Sequence, residues 1–250
     1  MKLSNAFIKQ QVQEFVRAVF ADTLREKGFT SYKNEDFCWF RVVNHEVVHH
    51  VFFITPHRNY PIIPFTSCGF YPLYADIDIP TSPYMYNCNI GVPPLVTQVH
   101  WHTGRLWPGN GNVMCSEDDT YGLKMLREKV LVQFEGMDSG LNCYKRHKEM
   151  RLQSLMGASM FEYRPYNDFI AEMIYQNDSE LYGEFLEAIA KYRQKDLSNT
   201  VNQPEIIRER LAQLDTWQRA ITEDRQPFLD ELEKRKAEFI IKLEKGGIPI

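Results

Sequence analysis

The stretch Phe37–Ile54, FCWFRVVNHEVVHHVFFI, decides the fold. Phe37, Trp39 and Arg41 alternate with Cys38, Phe40 and Val42, and a second apolar run, Val47–Ile54, follows after Asn44-His45-Glu46. Two runs of period two separated by a short polar turn read as an antiparallel hairpin. Pro56 closes the second strand, because proline has no N–H for the ladder. Alternation in such strands leaves one face apolar, and that face needs a cover.

The cover lies upstream. Ile8, Val12, Phe15, Val16, Val19 and Phe20 recur at three- and four-residue steps, which predicts an amphipathic helix over about 6–27. Ser4 or Asn5 is placed to cap its start, and Gly28 stands where a left-handed residue ends a helix.

Downstream the pattern breaks. Prolines at 61, 64, 72, 80 and 83 argue against a long central strand, and leave Ser67–Tyr74 as a short edge strand. Tyr86–Val92 and Leu95–Thr103 are further strand candidates, so the sheet is expected from about 30–55 and 86–103. After the turn Pro108–Asn112, Ser116-Glu117-Asp118-Asp119 opens a helix to about Phe134, with Leu123, Leu126, Val130 and Phe134 as its stripe. Residues 144–156, Tyr166–Gln194, Pro204–Ile221 and Pro227–Lys245 also read as helices, the last two with proline in the first turn. Their stripes are Ile207, Leu211, Leu214 and Ile221, then Leu229, Leu232, Ile240 and Leu243. The expected fold is therefore α+β: an antiparallel sheet packed on an N-terminal amphipathic helix, then a bundle-like helical region. The expected division is an α+β unit over 1–140 and a helical region over 141–250 packed on it, the two forming one continuous domain in the alternative reading.

The order of short motifs brings a resemblance. A helix ending in Gly28-Phe29 leads to Phe37-x-Trp39-Phe40-Arg41, then to Asn89-Ile90-Gly91-Val92, then to Gly104-Arg105-Leu106 and an acid-capped helix. This progression resembles a bacterial domain-of-unknown-function family, over residues 5 to about 135 and more loosely beyond. The stretch 57–85 is longer than that pattern. The resemblance implies an α+β fold and supplies no activity.

Charge and cysteine usage exclude several classes. The 250 residues carry 29 basic and 33 acidic side chains, a formal charge of −4, which argues against binding to nucleic acid or anionic lipid by bulk electrostatics. No run of eighteen apolar residues predicts a membrane span. The N-terminus lacks the apolar core of a secretory signal, and five cysteines without a CxxC pair suit reduced thiols, so a cytoplasmic location is expected.

Between Val43 and Cys115 only Glu46, Arg58, Asp76, Asp78 and Arg105 are charged. Within it, Tyr60, Phe65, Phe70, Tyr71, Tyr74, Tyr84, Tyr86, Trp101 and Trp107 crowd into 48 residues bearing three charges. That is the composition of an interface core or a ligand cleft; the plain alternative is that these rings fill the main core. Tyr60, Tyr84, Arg105 and Trp107 flank prolines or turns and are the binding candidates. Arg105 needs a carboxylate, for which Asp76 and Asp78 are nearest.

His100-Trp101-His102 sets two imidazoles on one strand face about 6–7 Å apart, and His49-His50 puts one ring on each face of the hairpin. His57 or Cys115 would complete a zinc site, yet HxH alone is a weak signal, and the favoured reading is half-buried histidines bonded to backbone. No metal or cofactor is assigned. Nucleophile elbows, HExxH and phosphate loops are missing, and Cys68, Cys88 and Cys115 read as small buried hydrophobes. Two readings follow. The favoured one is a non-catalytic binding module whose partner is another protein, of the accessory, defence or toxin-neutralising kind. The alternative is a small enzyme or ligand-binding protein with His100, His102 and Arg105 in a cleft, zinc-dependent in one form.

Overall fold

The structure is a computed structural model that describes residues 4–54, 65–74, 79, 97–99, 123–124, 126–143, 145–146, 176, 182–198 and 204–250. Ser4 caps the first helix, α1 (Asn5–Val19), its hydroxyl accepting from the Phe7 N–H at 3.2 Å. The single helix expected over 6–27 is two: α2 (Ala21–Glu26) starts after a break at Phe20. At 3.6 residues per turn a continuous helix would carry Ala21 about half a turn away from Val12 and Val16. Ala21 is nevertheless fully buried in the same core cluster as Val12 and Val16. Gly28 (φ +78°) ends α2, with its N–H on the Arg25 carbonyl at 2.9 Å and the Phe29 N–H on the Leu24 carbonyl at 3.0 Å. This pair of hydrogen bonds is the Schellman cap that glycine permits.

Five strands follow: β1 (Thr30–Ser31), β2 (Cys38–Val43), β3 (Val47–Ile54), β4 (Phe65–Pro72) and β5 (Thr97–Val99). They form one antiparallel sheet in chain order. The expected hairpin pairs Val43 with Val47 through Cys38 with Phe52. Its turn places Asn44 (φ 52°) and His45 (φ 54°) in the left-handed region, closed by the Glu46 N–H on the Val43 carbonyl at 3.1 Å. That turn sense matches the right-handed strand twist.

Two expectations are corrected here. Ser67–Tyr74 was expected at an edge, whereas β4 runs Phe65–Pro72 and lies between β3 and β5. Pro72 sits at the strand's last position, where its missing N–H leaves the ladder intact. Nor is burial confined to one face. Trp39, His49, Val51 and Phe53 on one face and Phe40, Val48, His50 and Phe52 on the other are all buried. The almost unbroken apolar run of β3 is the composition of a strand covered on both sides.

On the first face, Phe20 stacks on Phe53 (centroids 5.1 Å apart) and the Arg25 guanidinium lies over Trp39. The Asp36 carboxylate, nearly buried, takes two bonds from Arg17 of α1, at 2.7 and 2.9 Å. The same face receives a strap, Leu126–Asp138. The helix expected through Phe134 is α-helical at Leu123–Lys124 and departs from that form from Leu126 on, as a π-helical turn (Leu126–Val130) followed by a 3₁₀ turn (Leu131–Phe134). Leu126, Val130 and Phe134 are buried as expected, Leu123 half-buried, and the tighter second turn delivers Phe134 onto Phe29.

On the second face Tyr32 meets Phe40 edge-on. Three C-terminal helices complete the described chain: α3 (Tyr182–Leu197), α4 (Pro204–Thr222) and α5 (Gln226–Glu244). Arg193 of α3 donates to Asp215 (2.5 Å) and Gln218 (3.0 Å) of α4. The buried line of α5 is Phe228, Leu232, Phe239 and Leu243, one residue round from the Leu229 and Ile240 expected, which are half-buried. Just past α5, the Gly246 carbonyl accepts from the Lys33 N–H at 2.7 Å, fastening the chain's end to the Tyr32–Asn34 turn. The candidates Tyr86–Val92 and 144–156 lie wholly or mostly outside the described residues.

Candidate functional site

The register of the hairpin sets Arg41 directly opposite His49. Arg41 Nη2 donates to His49 Nδ1 at 2.9 Å, and His49 Nε2 lies 2.5 Å from the Met137 carbonyl oxygen of the strap. A guanidinium only donates, so Nδ1 is the acceptor and the proton of the neutral ring is on Nε2, pointing at Met137. Arg41 Nη1 donates to the Lys27 carbonyl at 2.8 Å, at the end of α2. The guanidinium lies over the rings of Phe29 (4.8 Å) and Phe134 (5.9 Å), which also meet each other, and the His49 ring stacks on Phe134 at 4.7 Å. One arginine and one histidine thus join α2, the hairpin and the strap. Asn44 of the hairpin turn adds a third tie, donating to the Asp138 carbonyl at 3.1 Å.

Burial holds His49 well below the ordinary histidine range, at about 4; the Met137 carbonyl and Asp138 pull it up, while Arg41 pushes it further down. Burial also lowers Arg41, whose Nε is buried without a hydrogen-bond partner among the described residues.

His50 faces the opposite side of the sheet. It is fully buried, stacked on Phe52 (4.1 Å) and near-parallel to Tyr71 (5.6 Å). Neither ring nitrogen has a hydrogen-bond partner among the described residues. Burial, and then the neighbouring His49, depress its pKa to about 3. Gly69, directly across on β4, is what admits the ring: a Cβ there would come within 2.7 Å of His50 Cε1.

The chemistry open to these groups is narrow. The His49 lone pair is occupied by an Arg41 N–H, so it is no free base. Burial pushes the Cys68 thiol up to about 12, far from the thiolate form that attacks or binds metal. Cys38, Cys68 and Cys143 are buried and form no disulfide among the described residues, as suits small hydrophobes. His49 and His50 point to opposite faces and do not share a ligand. Among the described residues no three His, Cys, Asp or Glu side chains gather as a metal site.

Tyr60, Tyr84, His100, His102, Arg105 and Trp107 all lie outside the described residues, as do His57, Asp76, Asp78, Cys88 and Cys115. The Arg41–His49 pair was not singled out from sequence, although the signal existed. Once Val43 and Val47 flank the turn, residues 41 and 49 must face each other. No family model, no curated protein and no solved structure matches the chain. No helix among the described residues is long and apolar enough to cross a membrane.

Proposed function

We propose that this chain is a non-catalytic binding module that recognises another protein through Tyr60, Tyr84, Arg105 and Trp107 of its weakly charged aromatic stretch, residues 60–107, whose Phe70, Tyr71 and Tyr74 are buried in the core. One observation carries the reading. β4 and β5 are adjacent antiparallel strands, with Cys68 opposite Thr97, so the chain between them leaves and rejoins one edge of a rigid sheet. Segments pinned at both ends on a scaffold are where binding residues concentrate, and this one contributes Tyr84 and Tyr86, with Trp101, Arg105 and Trp107 just beyond it. Large aromatics with few charges are the composition of interface hot spots. The buried histidines and Cys68 support the same reading, since they are committed to packing rather than to proton transfer.

The test places a photo-crosslinking amino acid at Tyr60, Tyr84 or Trp107, with exposed Ile241 on α5 as the control position. The captured protein is then purified and its affinity measured by calorimetry. Tyr84→Ala and Trp107→Ala are expected to weaken binding by about tenfold or more, as hot-spot truncations do, with unchanged melting temperature. Equal capture at Ile241, or full affinity in both variants, overturns the proposal. One equivalent of tightly bound zinc that His100→Ala and His102→Ala abolish would support the enzyme reading instead.

A further inference from the structure

The segment Tyr32–Asp36, between β1 and β2, is held from two sides by the two ends of the chain. On one side the Gly246 carbonyl accepts from the Lys33 N–H at 2.7 Å, and the Gly246 backbone seats against the Tyr32 ring. That carbonyl stands on a fixed support. Gly247 (φ +81°) ends α5 with its N–H on the Glu244 carbonyl at 2.8 Å and the Ile248 N–H on the Leu243 carbonyl at 3.1 Å, and Ile248 is buried. On the other side α1 takes hold. Lys9 pairs with Glu35 at 2.5 Å, and Arg17 gives two bonds to the Asp36 carboxylate. Between these holds, Lys33 (φ 53°) and Asn34 (φ 57°) both lie in the left-handed region, with the Glu35 N–H closing the turn on the Tyr32 carbonyl at 2.9 Å. Asparagine tolerates that region; for lysine it is strained. At Asn44-His45 the same turn sense suits the two strands it joins tightly. Here the turn stands inside a wider loop, since Ser31 pairs with Trp39, and strand twist does not impose it.

We infer that Tyr32–Asp36 is a sprung coupling between the chain's two ends: the end of α5 and α1 together hold the Lys33-Asn34 turn in its left-handed form, and release by either one lets the turn relax and loosens the other's hold. A left-handed turn and its right-handed counterpart are mirror images, so a chain that enters them alike leaves them in different directions. With Tyr32 fixed against Gly246 and Asp36 fixed against Arg17, entry and exit are both prescribed, and the left-handed form is the one that meets them. Once one hold is gone that prescription lapses, and the strained Lys33 backbone returns to the right-handed region. A displaced exit draws Glu35 and Asp36 away from α1; a displaced entry draws the Lys33 N–H away from Gly246. Gly246 and Arg17 meet different residues of the segment, so the turn is what connects them, and a coupling of this kind acts equally in both directions. Whatever lifts the end of α5 off Tyr32 therefore loosens α1 without touching it.

The experiment uses the full chain at neutral pH and measures amide exchange, read as protection factors, together with urea unfolding. Arg17→Met removes the α1 hold on Asp36 at a side chain that is itself mostly exposed. Protection of the residue-33 amide, on the far side of the turn, is expected to fall by about fivefold or more relative to β2 and β3. Lys33→Gly, which removes the strain, is expected to restore that protection in the Arg17→Met background. In unfolding, Arg17→Met and Gly246→Ala are expected to be subadditive. With one hold already gone, the second substitution changes the unfolding equilibrium constant by about fivefold less, or lower still, than it does in the unaltered chain. With Lys33→Gly present the two become additive. The inference is overturned if Arg17→Met leaves the residue-33 amide protected, if the two substitutions are additive in the unaltered chain, or if Lys33→Gly leaves the coupling in place. Should Gly246→Ala not fold, the exchange measurements decide alone. Should Arg17→Met not fold, Lys9→Met, which gives up the Glu35 pair, takes its place with the same expectations.

Discussion

His50 sits between two aromatic rings with two polar nitrogens and, among the described residues, nothing to bond to. A buried polar group left unsatisfied costs about 1–3 kcal/mol, and replacing it by an apolar group of similar shape recovers that cost. His50→Phe keeps the stack with Phe52 and Tyr71 and is expected to raise stability by about 1–3 kcal/mol at neutral pH. Urea unfolding measures it; a lower midpoint would mean that the imidazole has a partner worth more than its burial. Gly69→Ala acts on the same contact from the other strand. Its new Cβ arrives 2.7 Å from the ring, and overpacking of this kind costs about 1–3 kcal/mol. The two substitutions share one space, so the Gly69→Ala penalty is expected to shrink in a His50→Ala background, a coupling that a double-mutant cycle reads directly. Neither effect is legible from residues 50 and 69 alone, because sequence shows which side of a strand a residue takes and not what stands across from it.

At the scale of elements, local signals carried well where they depended on one residue type in one backbone state. Ser4 as a cap, Gly28 as a left-handed end, prolines at the starts of α4 and α5, and the Asn44-His45 turn were all written locally. The signals failed where packing overrode them. The helix breaks at Phe20, whose ring stacks on Phe53, and the π and 3₁₀ turns from Leu126 end at Phe134, whose ring stacks on His49 of the hairpin. Gly246 is another case, because its partner lies more than 200 residues away. A Cβ on Gly246 would fall 2.0 Å from the Tyr32 ring, well inside any real contact. Gly246→Ala is expected to lower stability by about 1–3 kcal/mol and to expose the Lys33 amide, now bonded to the Gly246 carbonyl, to exchange. Full retention of both would show that the end of α5 does not seat on the Tyr32–Asn34 turn. Tyr32→Ala is expected to remove most of the Gly246→Ala penalty while incurring its own.

At the scale of the molecule, the α+β class was legible because periods of two and of 3.6 residues occupy separate stretches of the chain. The site candidates Tyr60, Tyr84, His100, His102, Arg105 and Trp107 were chosen for composition, which does not give position, and they lie outside the described residues. What the whole fold does give is a pH dependence. His49 and His50, adjacent in sequence, are buried on opposite faces of one sheet, so folding removes both from water at once. Both are held below the ordinary value near 6.5, His49 at about 4 and His50 at about 3. Between those values and 6.5 the unfolded chain binds more protons than the folded one, so stability rises with pH through that window. Read downwards, stability is intact above the unfolded histidine range. It starts to fall as pH drops below about 6.5 and levels off, for these two groups, only beneath their folded values. A shift of this size on a buried group is worth on the order of 3 kcal/mol, and two such groups approach the whole stability of many domains. Urea unfolding at pH steps from neutral to about 4 is therefore expected to show a steep loss of stability, and His50→Phe to remove about half of the slope while leaving the His49 share. A stability that stays level across that window would mean that water or another group already reaches these rings in the folded state.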